Sequence, residues 1–474
     1  MTPPSATAEA LHDDGLALWR SGRLDEALDR LGRAVDLAPE RALFRTSFGV
    51  VLAALGESDA AVAAWRTALA LDPAETHALV NLANATGTGD GARRVYRRAL
   101  AVDAVDAAAL GNLGALEERE GQGDTALRLY RQALALDPRV AELWSNLGAA
   151  CHWQGRLARA GRDLDRAVAL DPAFAEARWN RAVNRLLSGD WAGGLADHEW
   201  RWRRRGVVVP GFGLPRWRGE PLSGKRLLAW GEQGYGDAIQ FARLVPAVHA
   251  RGARVTLVCR PRLKRLFASL AGVERVVGFG ERLPAADLEV PLMSLPLRLG
   301  LAPEEMAATA PYLAADPQDI RRWRRLMPSG RPRVGIVWAG NPEHRQDRAR
   351  SLAVDRLAPL WRLERVLFVS LQHEDEPDGL PAWRPPAAAD LAEAAAQLEC
   401  LDLVIAADTA IAHLAGALGK PVWILLAAVP DWRWGTTGET TAWYASARLF
   451  RQERPGDWAQ VIGRVVRALE ERFP

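Results

Sequence analysis

One spacing dominates the first two hundred residues. A proline follows Asp or Ala at Pro39, Pro73, Pro138 and Pro172, with gaps of 34, 65 and 34 residues. The middle gap contains a shorter repeat of 31 residues, in which Ala104 stands where the proline would be. Ahead of each mark two alanines stand seven positions apart: Ala27 and Ala34, Ala61 and Ala68, Ala92 and Ala99, Ala126 and Ala133, Ala160 and Ala167. Further upstream, small residues recur at Gly15, Gly49, Ala83, Gly114 and Gly148. A period of this length marks one helical hairpin copied many times, each copy burying its apolar face only against its neighbours. Small residues let two antiparallel helices approach closely, and proline cannot continue the second helix. The spacing predicts an all-helical solenoid with five clear units over residues 8–174 and a sixth, degenerate unit ending near Arg204.

A 34-residue period with small residues at these offsets is the tetratricopeptide signature, and the segment 8–204 resembles that repeat family. In the third unit the stretch Gly87 to Asp90 is three residues short, which predicts a trimmed turn between its two helices. Units three to six carry Asn at one offset: Asn81, Asn112, Asn146 and Asn180. An amide side chain both donates and accepts, so a row of them on the concave face can hold an extended peptide of any sequence. This row is similar to the asparagine ladder in the repeats of O-linked N-acetylglucosamine transferase. It makes a protein or peptide acceptor the expected partner of the solenoid, with a structural role for the same amides as the other reading.

The cluster "HEWRWRRRG", His198 to Gly206, reads as a solvated capping helix, and residues 205–224, rich in Gly and Pro, as a linker. Within it Gly219 to Lys225 nearly spells a phosphate-binding P-loop. Arg226 stands where the magnesium-ligating hydroxyl belongs, and the motif precedes a strand instead of following one, so it is rejected.

From Lys225 onward short apolar runs alternate with helical stretches. Runs at 226–230 and 254–259, then "RVVGF" and "LEVPL", build a first half over residues 225–315. Runs at 333–340, 365–372, 403–408 and 421–427 build a second half over residues 331–474. Such alternation predicts two parallel sheets covered by helices, with ligands outside the carboxyl ends of the strands. The fold expected is an all-α solenoid followed by an α/β domain of two Rossmann-like halves. A net charge of +3 and 25% charged residues demand no nucleic-acid partner. Cys151, Cys259 and Cys400 share no metal-ligand spacing. Neither a leader sequence nor an apolar run of membrane-spanning length is evident, so a cytoplasmic protein without a membrane span is expected.

In "VIAADTAIAH" an apolar strand stops at Asp408 and a helix starts at once. Asp408 can cap that helix or accept hydrogen bonds from sugar hydroxyls. The first amides, from Thr409 and Ala410 onward, suit a phosphate. The loop "GEQGYGDAIQF" (231–241) follows the first strand with three glycines in a tight turn with free amides, which makes Gly234 a donor-binding candidate, and places Asp237 at a helix start. Its order is not a dinucleotide fingerprint, and no acidic residue ends the second strand, which disfavours a nicotinamide enzyme. The loop from Asn341 to Ser351 is polar and basic and faces the same cleft.

Three blocks, 231–248, 334–351 and 404–423, together resemble glycosyltransferase family nine, the group of the heptosyltransferases. The chain from about 8 to 470 resembles bacterial fusions of tetratricopeptide repeats to such a domain. The resemblance implies a GT-B fold, transfer with inversion at the anomeric centre, no metal and no cofactor beyond the nucleotide-sugar substrate. It implies Asp237 as the general base and Asp408 with Thr409 as donor ligands. Arg350 is the closest match to the basic residue that neutralises the leaving diphosphate, with Arg348 and Arg345 as rivals; the family usually has Lys there. Asn341 and Gln372 are candidate donor contacts, and His413 is expected behind Asp408, packing or supporting it. Trp432 and Trp434 are read either as stacking on sugar or base or as packing between the halves. The implied activity is transfer of a hexosyl or related group to a protein, flagellin being one candidate. The alternatives are a lipid-linked glycan or lipopolysaccharide acceptor, and a non-catalytic scaffold.

Overall fold

A computed structural model describes residues 4–302, 305–306, 311–343, 347–372, 377 and 379–474. The chain divides into two compact units, Met1–Asn180 and Arg181–Pro474. The division falls inside a helix, ahead of the segment 205–224.

The first unit is built from helices α1 to α10: Pro4–Arg20, Leu24–Leu37, Ala42–Ala54, Ser58–Leu71, Thr76–Thr86, Gly89–Val102, Ala107–Arg119, Gly123–Leu136, Ala141–Trp153 and Leu157–Leu170. Helix α11, Ala175–Leu187, crosses the division, and α12 is Trp191–His198. The sequence pattern has a direct packing cause. All ten paired alanines have no exposed surface. A Cβ added at Gly15, Gly49, Gly114 or Gly148 would lie 2.7, 2.5, 2.8 or 2.6 Å from an atom of Leu31, Trp65, Tyr130 or Leu164. Glycine is required there because the partner side chain already fills the space. The short third unit loses its residues differently from expectation. Helix α5 has 11 residues where α3 has 13, so two of the three missing residues come from the helix and one from the turn.

In the second unit the expected strands form. They are β1 (Arg226–Trp230), β2 (Arg254–Cys259), β3 (Val273–Gly278), β4 (Leu288–Pro291), β5 (Arg333–Val337), β6 (Leu367–Ser370), β7 (Leu403–Ala407) and β8 (Val422–Leu426), with β9 (Ala447–Arg451) as an unanticipated addition. Two parallel sheets result, ordered β3-β2-β1-β4 and β6-β5-β7-β8-β9. The helices between them are α13 (Tyr235–Ala242), α14 (Val245–Ala250), α15 (Lys264–Phe267), α16 (Leu295–Leu299), α17 (Pro317–Leu326), α18 (Asp347–Arg350), α19 (Leu391–Glu399), α20 (Ala410–Ala417) and α21 (Trp458–Arg472). The helical stretch after β1 is two helices, broken at Arg243 and Leu244, with Pro246 in the first turn of α14. Strands β7 and β8 are buried along their whole length, as central parallel strands are. Their apolar residues pack with Val461, Val465 and Leu469 of α21 in one core.

Two expectations are corrected here. The segment 205–224 is packed structure. Trp217 is fully buried, its N–H donates to the Glu289 carbonyl at 2.8 Å, and the Glu289 N–H donates to the Pro215 carbonyl at 3.0 Å. The segment thus covers β4, which would otherwise be a bare sheet edge, while Phe212 and Leu214 pack on Trp230 and its neighbours. Nor is His198–Gly206 a solvated cap: His198 and Arg201 are buried.

Strand order locates the crevices. It reverses between β1 and β4 in the first sheet and between β5 and β7 in the second. Loops leaving adjacent strands in opposite directions open a ligand crevice at such points.

Candidate active site

The crevice between β5 and β7 gathers most of the second-half candidates. Asp408 directly follows β7, but the N-cap of α20 is Thr409, in extended conformation and with no side-chain cap bond. The capping role considered for Asp408 is therefore not the one it plays. The Thr409 hydroxyl oxygen is buried without a hydrogen-bond partner, and Ala410 opens the helix. The first amides of α20 carry partial positive charge with no protein oxygen drawn onto them from Thr409. Arg350, at the end of α18, donates from Nη1 to the Asp408 carbonyl at 3.1 Å and from Nε to Asp347 at 3.3 Å. Its guanidinium lies against Gly340, where an added Cβ would come within 2.6 Å of Nη2. Gln372 accepts from the N–H groups of Trp338 and Ala339 at 3.3 and 3.2 Å and donates to the Ala339 carbonyl at 3.2 Å. It braces the end of β5. Asn341 is exposed and accepts from the Glu343 N–H at 3.0 Å, a local turn bond. Arg348 is exposed, and Arg345 lies outside the described residues.

From the first half, Asp237 stands in the first turn of α13, where Gly234 is the N-cap and donates its N–H to Oδ2 at 2.8 Å. The other carboxylate oxygen is bonded by Arg433, a residue the sequence reading passed over between two tryptophans. Arg433 also donates to Gln240 at 2.6 Å and to Asp431 at 2.8 Å, and its side chain is 8% exposed. The guanidinium sits over the Trp432 ring, 4.6 Å from its centre. The tryptophans themselves are buried. Trp432 packs edge-on against Trp191 at 5.5 Å, and Trp434 stacks on His413 at 5.2 Å. Packing, not a free stacking face, is what these two indoles provide. Helix α13 meets α20 where Gly236 has no side chain; a Cβ there would be 2.8 Å from His413 Cδ2.

Charge in the site is unbalanced in an instructive way. Burial, then repulsion from Asp431, pushes the Asp408 carboxyl from the ordinary 3.8 up to about 6, with Arg433 and Arg350 opposing. Burial, reinforced by Arg433, Arg243 and Arg350, holds the His413 imidazole well below its ordinary value. His413 is thus neutral. Its Nδ1 is 2.9 Å from the Tyr444 hydroxyl and its Nε2 is 3.7 Å from Asp408, a supporting contact and not an ion pair. No group of three His, Cys, Asp or Glu side chains among the described residues is arranged as metal ligands are.

A cavity of about 530 Å³ opens beside α20. Tyr235 and Arg262 line it from the first half, and Gln372, Arg384, Leu391 and Ala410 from the second. Part of its lining, from Pro385 to Ala388 and from Leu398, is apolar, which suits a planar base. The stretch 384–391 was not singled out from sequence. Its signal is the pair Pro385–Pro386 ahead of Asp390, which caps α19 by accepting from the N–H groups of Ala392 and Glu393.

In the first unit the four asparagines occupy the sixth position of α5, α7, α9 and α11, all half-buried. Asn180 donates to the Ser145 hydroxyl at 3.1 Å, so part of the row already ties one repeat to the next.

Residues 387–455 match the profile of Glycosyltransferase family 9 (heptosyltransferase), and residues 12–76, 77–141 and 117–186 match Tetratricopeptide repeat profiles. The transferase match contains Asp408, Thr409, His413 and Arg433 but neither Asp237 nor Arg350. Protein FlbA of Caulobacter vibrioides is 31% identical to the chain, over 61% of the chain and 54% of FlbA. The chain therefore spans about half the length of the curated relative it matches. Among solved structures, the Cut9–Hcn1 hetero-tetramer of the APC/C aligns over 44% of this chain and 42% of its own, at 19% identity and a TM-score of 0.41. TTC0263, a tetratricopeptide protein of Thermus thermophilus, aligns over 38% of this chain and 99% of its own, at 23% identity and a TM-score of 0.34.

Proposed function

We propose that this chain, in which tetratricopeptide repeats precede a glycosyltransferase family 9 domain, is an inverting, metal-independent glycosyltransferase. It moves a sugar from a nucleotide donor to an acceptor held by the repeats. The observation that carries the reading is the open N-terminus of α20: its N-cap hydroxyl is buried and unpartnered, Arg350 lies alongside, and the cavity adjoins it. A diphosphate there would meet the first amides of α20, the Thr409 hydroxyl and a cation. The base would lie in the apolar part of the cavity, and Asp408 would accept a hydrogen bond from the sugar.

Asp237 takes the proton of the acceptor hydroxyl as that oxygen bonds to the anomeric carbon and the bond to the diphosphate breaks. Arg433 has to yield a carboxylate oxygen for this, and an arriving diphosphate is the anion that could draw it off. The acceptor is a protein in this reading, flagellin being one candidate, and the reaction is cytoplasmic. The three cysteines are unpaired, which fits a reducing compartment, and no helix of the described residues is long and apolar enough to cross a membrane. A second reading, a non-catalytic scaffold, draws on one observation: both oxygens of Asp237 are already engaged.

A thermal-shift series with ADP, GDP, UDP and CMP tests the donor site. The matching nucleotide at a hundred times its Kd should stabilise the fold by about 2.7 kcal/mol. Thr409→Val should then weaken that nucleotide about tenfold, the loss of one hydrogen bond to a charged group, without lowering Tm. Asp237→Ala should end transfer to protein while the nucleotide still binds. A lipid-linked glycan accepted in preference to any protein would redirect the acceptor assignment. No shift with any nucleotide would leave the scaffold.

A further inference from the structure

The first sheet has a crevice of its own, between β1 and β4, and the chain fills it from within. After α12 a tight turn, Glu199–Arg203, carries Arg201 inward. The Arg201 side chain is 4% exposed. Nε and Nη2 each donate to Glu232 at 2.8 Å, a bidentate pair, and Nη2 also reaches Ser294 at 2.8 Å. Nη1 reaches Glu199 at 2.9 Å and the His198 carbonyl at 3.0 Å. Glu232 accepts in turn from the Met293 N–H at 3.1 Å. Glu232 lies two residues beyond β1, and Met293 and Ser294 lie just beyond β4. The guanidinium therefore occupies the strand-order reversal where an open α/β sheet receives a ligand.

Glu232 is also the first fixed point of the loop that ends at Asp237. The next residue, Gln233, has φ +56°, the one positive φ at a non-glycine among the described residues. Its carbonyl is held by Arg260 at 2.8 Å. An unfavourable backbone conformation persists only where the surroundings over-determine it. A buried ion pair is a poor source of net stability compared with apolar residues of the same volume. What the rigid guanidinium fork does supply is fixed geometry.

We propose that Arg201 is a positioning residue for the transfer reaction: it closes the crevice of the first sheet and, through Glu232, sets the loop that presents Asp237. The inference rests on the reading of Asp237 as the base. It also means that the acceptor approaches by another route than the β1–β4 crevice.

The test uses the full chain. Arg201→Met alone strands Glu232 without its cation and should lower Tm. Arg201→Met with Glu232→Met replaces the pair by apolar groups and should bring Tm back towards the parent. In that double variant hydrogen exchange at the Gly234 and Ala238 amides should quicken about tenfold or more, since local opening is no longer resisted. With sugar conjugates of the nucleotide identified by thermal shift as donors, release of that nucleotide should slow about a hundredfold in kcat, as expected for a misplaced base, with donor KM unchanged. Arg201→Lys keeps the charge without the fork, and should give intermediate exchange and kcat; it also carries the test if the double variant does not fold. Parent-like exchange or parent-like kcat in a folded variant overturns the proposal. If Asp237→Ala itself turns over like the parent, the failure belongs to the base assignment, and the exchange rates alone decide whether Arg201 holds the loop.

Discussion

The Arg433 guanidinium bonds the Asp237 carboxylate across 196 positions of chain, from the turn after β8 to the first turn of α13. The same guanidinium bonds Gln240 on α13 and Asp431 on its own turn, so one side chain ties the two α/β halves together.

A double-mutant cycle measures that tie. Arg433→Met and Asp237→Asn should each cost about 1–3 kcal/mol in urea unfolding, less than a fully buried pair because Asp237 is 20% exposed. The double variant should cost clearly less than the two losses added, since each single change removes the same contact. Strict additivity would mean that the pair does not form in solution.

The raised pKa of Asp408 has a signed consequence. Its folded value of about 6 lies above the ordinary 3.8. Between those values the folded chain keeps a proton that the unfolded chain has lost, so this group makes stability fall as pH rises from about 4 to 6. Above pH 6 its contribution is constant. Asp408→Asn removes the titration. Thermal melts should show the variant gaining on the parent across that window and holding its gain above it; parallel curves would place the carboxyl in an ordinary, solvated setting.

How much of this was visible in the sequence depends on the range of each cause. The helical repeats and eight of the nine strands were legible, because an alanine pair seven apart or a short apolar run is a local signal. Asp408 and Thr409 were legible at a strand end, and Asp237 at a helix start. Arg433 and Arg201 were not, since each is defined by a carboxylate far along the chain, and an Arg among tryptophans looks like a solvated one. The segment 205–224 misled for a related reason: Gly and Pro mark irregular backbone, and irregular backbone can still bury Trp217. Strand β9 was missed because Arg448 and Arg451 interrupt its apolar pattern.

The asparagine row divides by its contacts. Asn180→Ala loses the bond to Ser145 and should cost about 1 kcal/mol. Asn112→Ala and Asn146→Ala should stay within about 0.5 kcal/mol of the parent. Chemical denaturation followed by circular dichroism decides this. Equal losses at all three positions would make the row a structural seam and remove its claim on an acceptor.

Two glycines should respond in opposite directions to the same change. At Gly148 a Cβ would meet Leu164 Cγ at 2.6 Å, and alanine there should destabilise by about 1–3 kcal/mol. At Gly463, inside α21, nothing lies within 4 Å, and alanine should stabilise by about 0.5–1 kcal/mol through helix propensity. Calorimetric Tm values that move together would refute the close approach at Gly148.

The contacts that demand glycine in the repeats, Gly15 with Leu31, Gly49 with Trp65, Gly114 with Tyr130 and Gly148 with Leu164, all join residues sixteen positions apart. In the second unit Val334 pairs with Leu403, 69 positions away, before β5 has its inner neighbour. Low contact order makes a chain segment quick to fold, and parallel pairing makes it slow. Each repeat can complete its packing once the next repeat has left the ribosome to cover it, whereas the second sheet must wait for β9. During synthesis the solenoid is therefore already folded while the strands of the second unit are still exposed, and it is the strands, not the repeats, that set the time to a finished molecule.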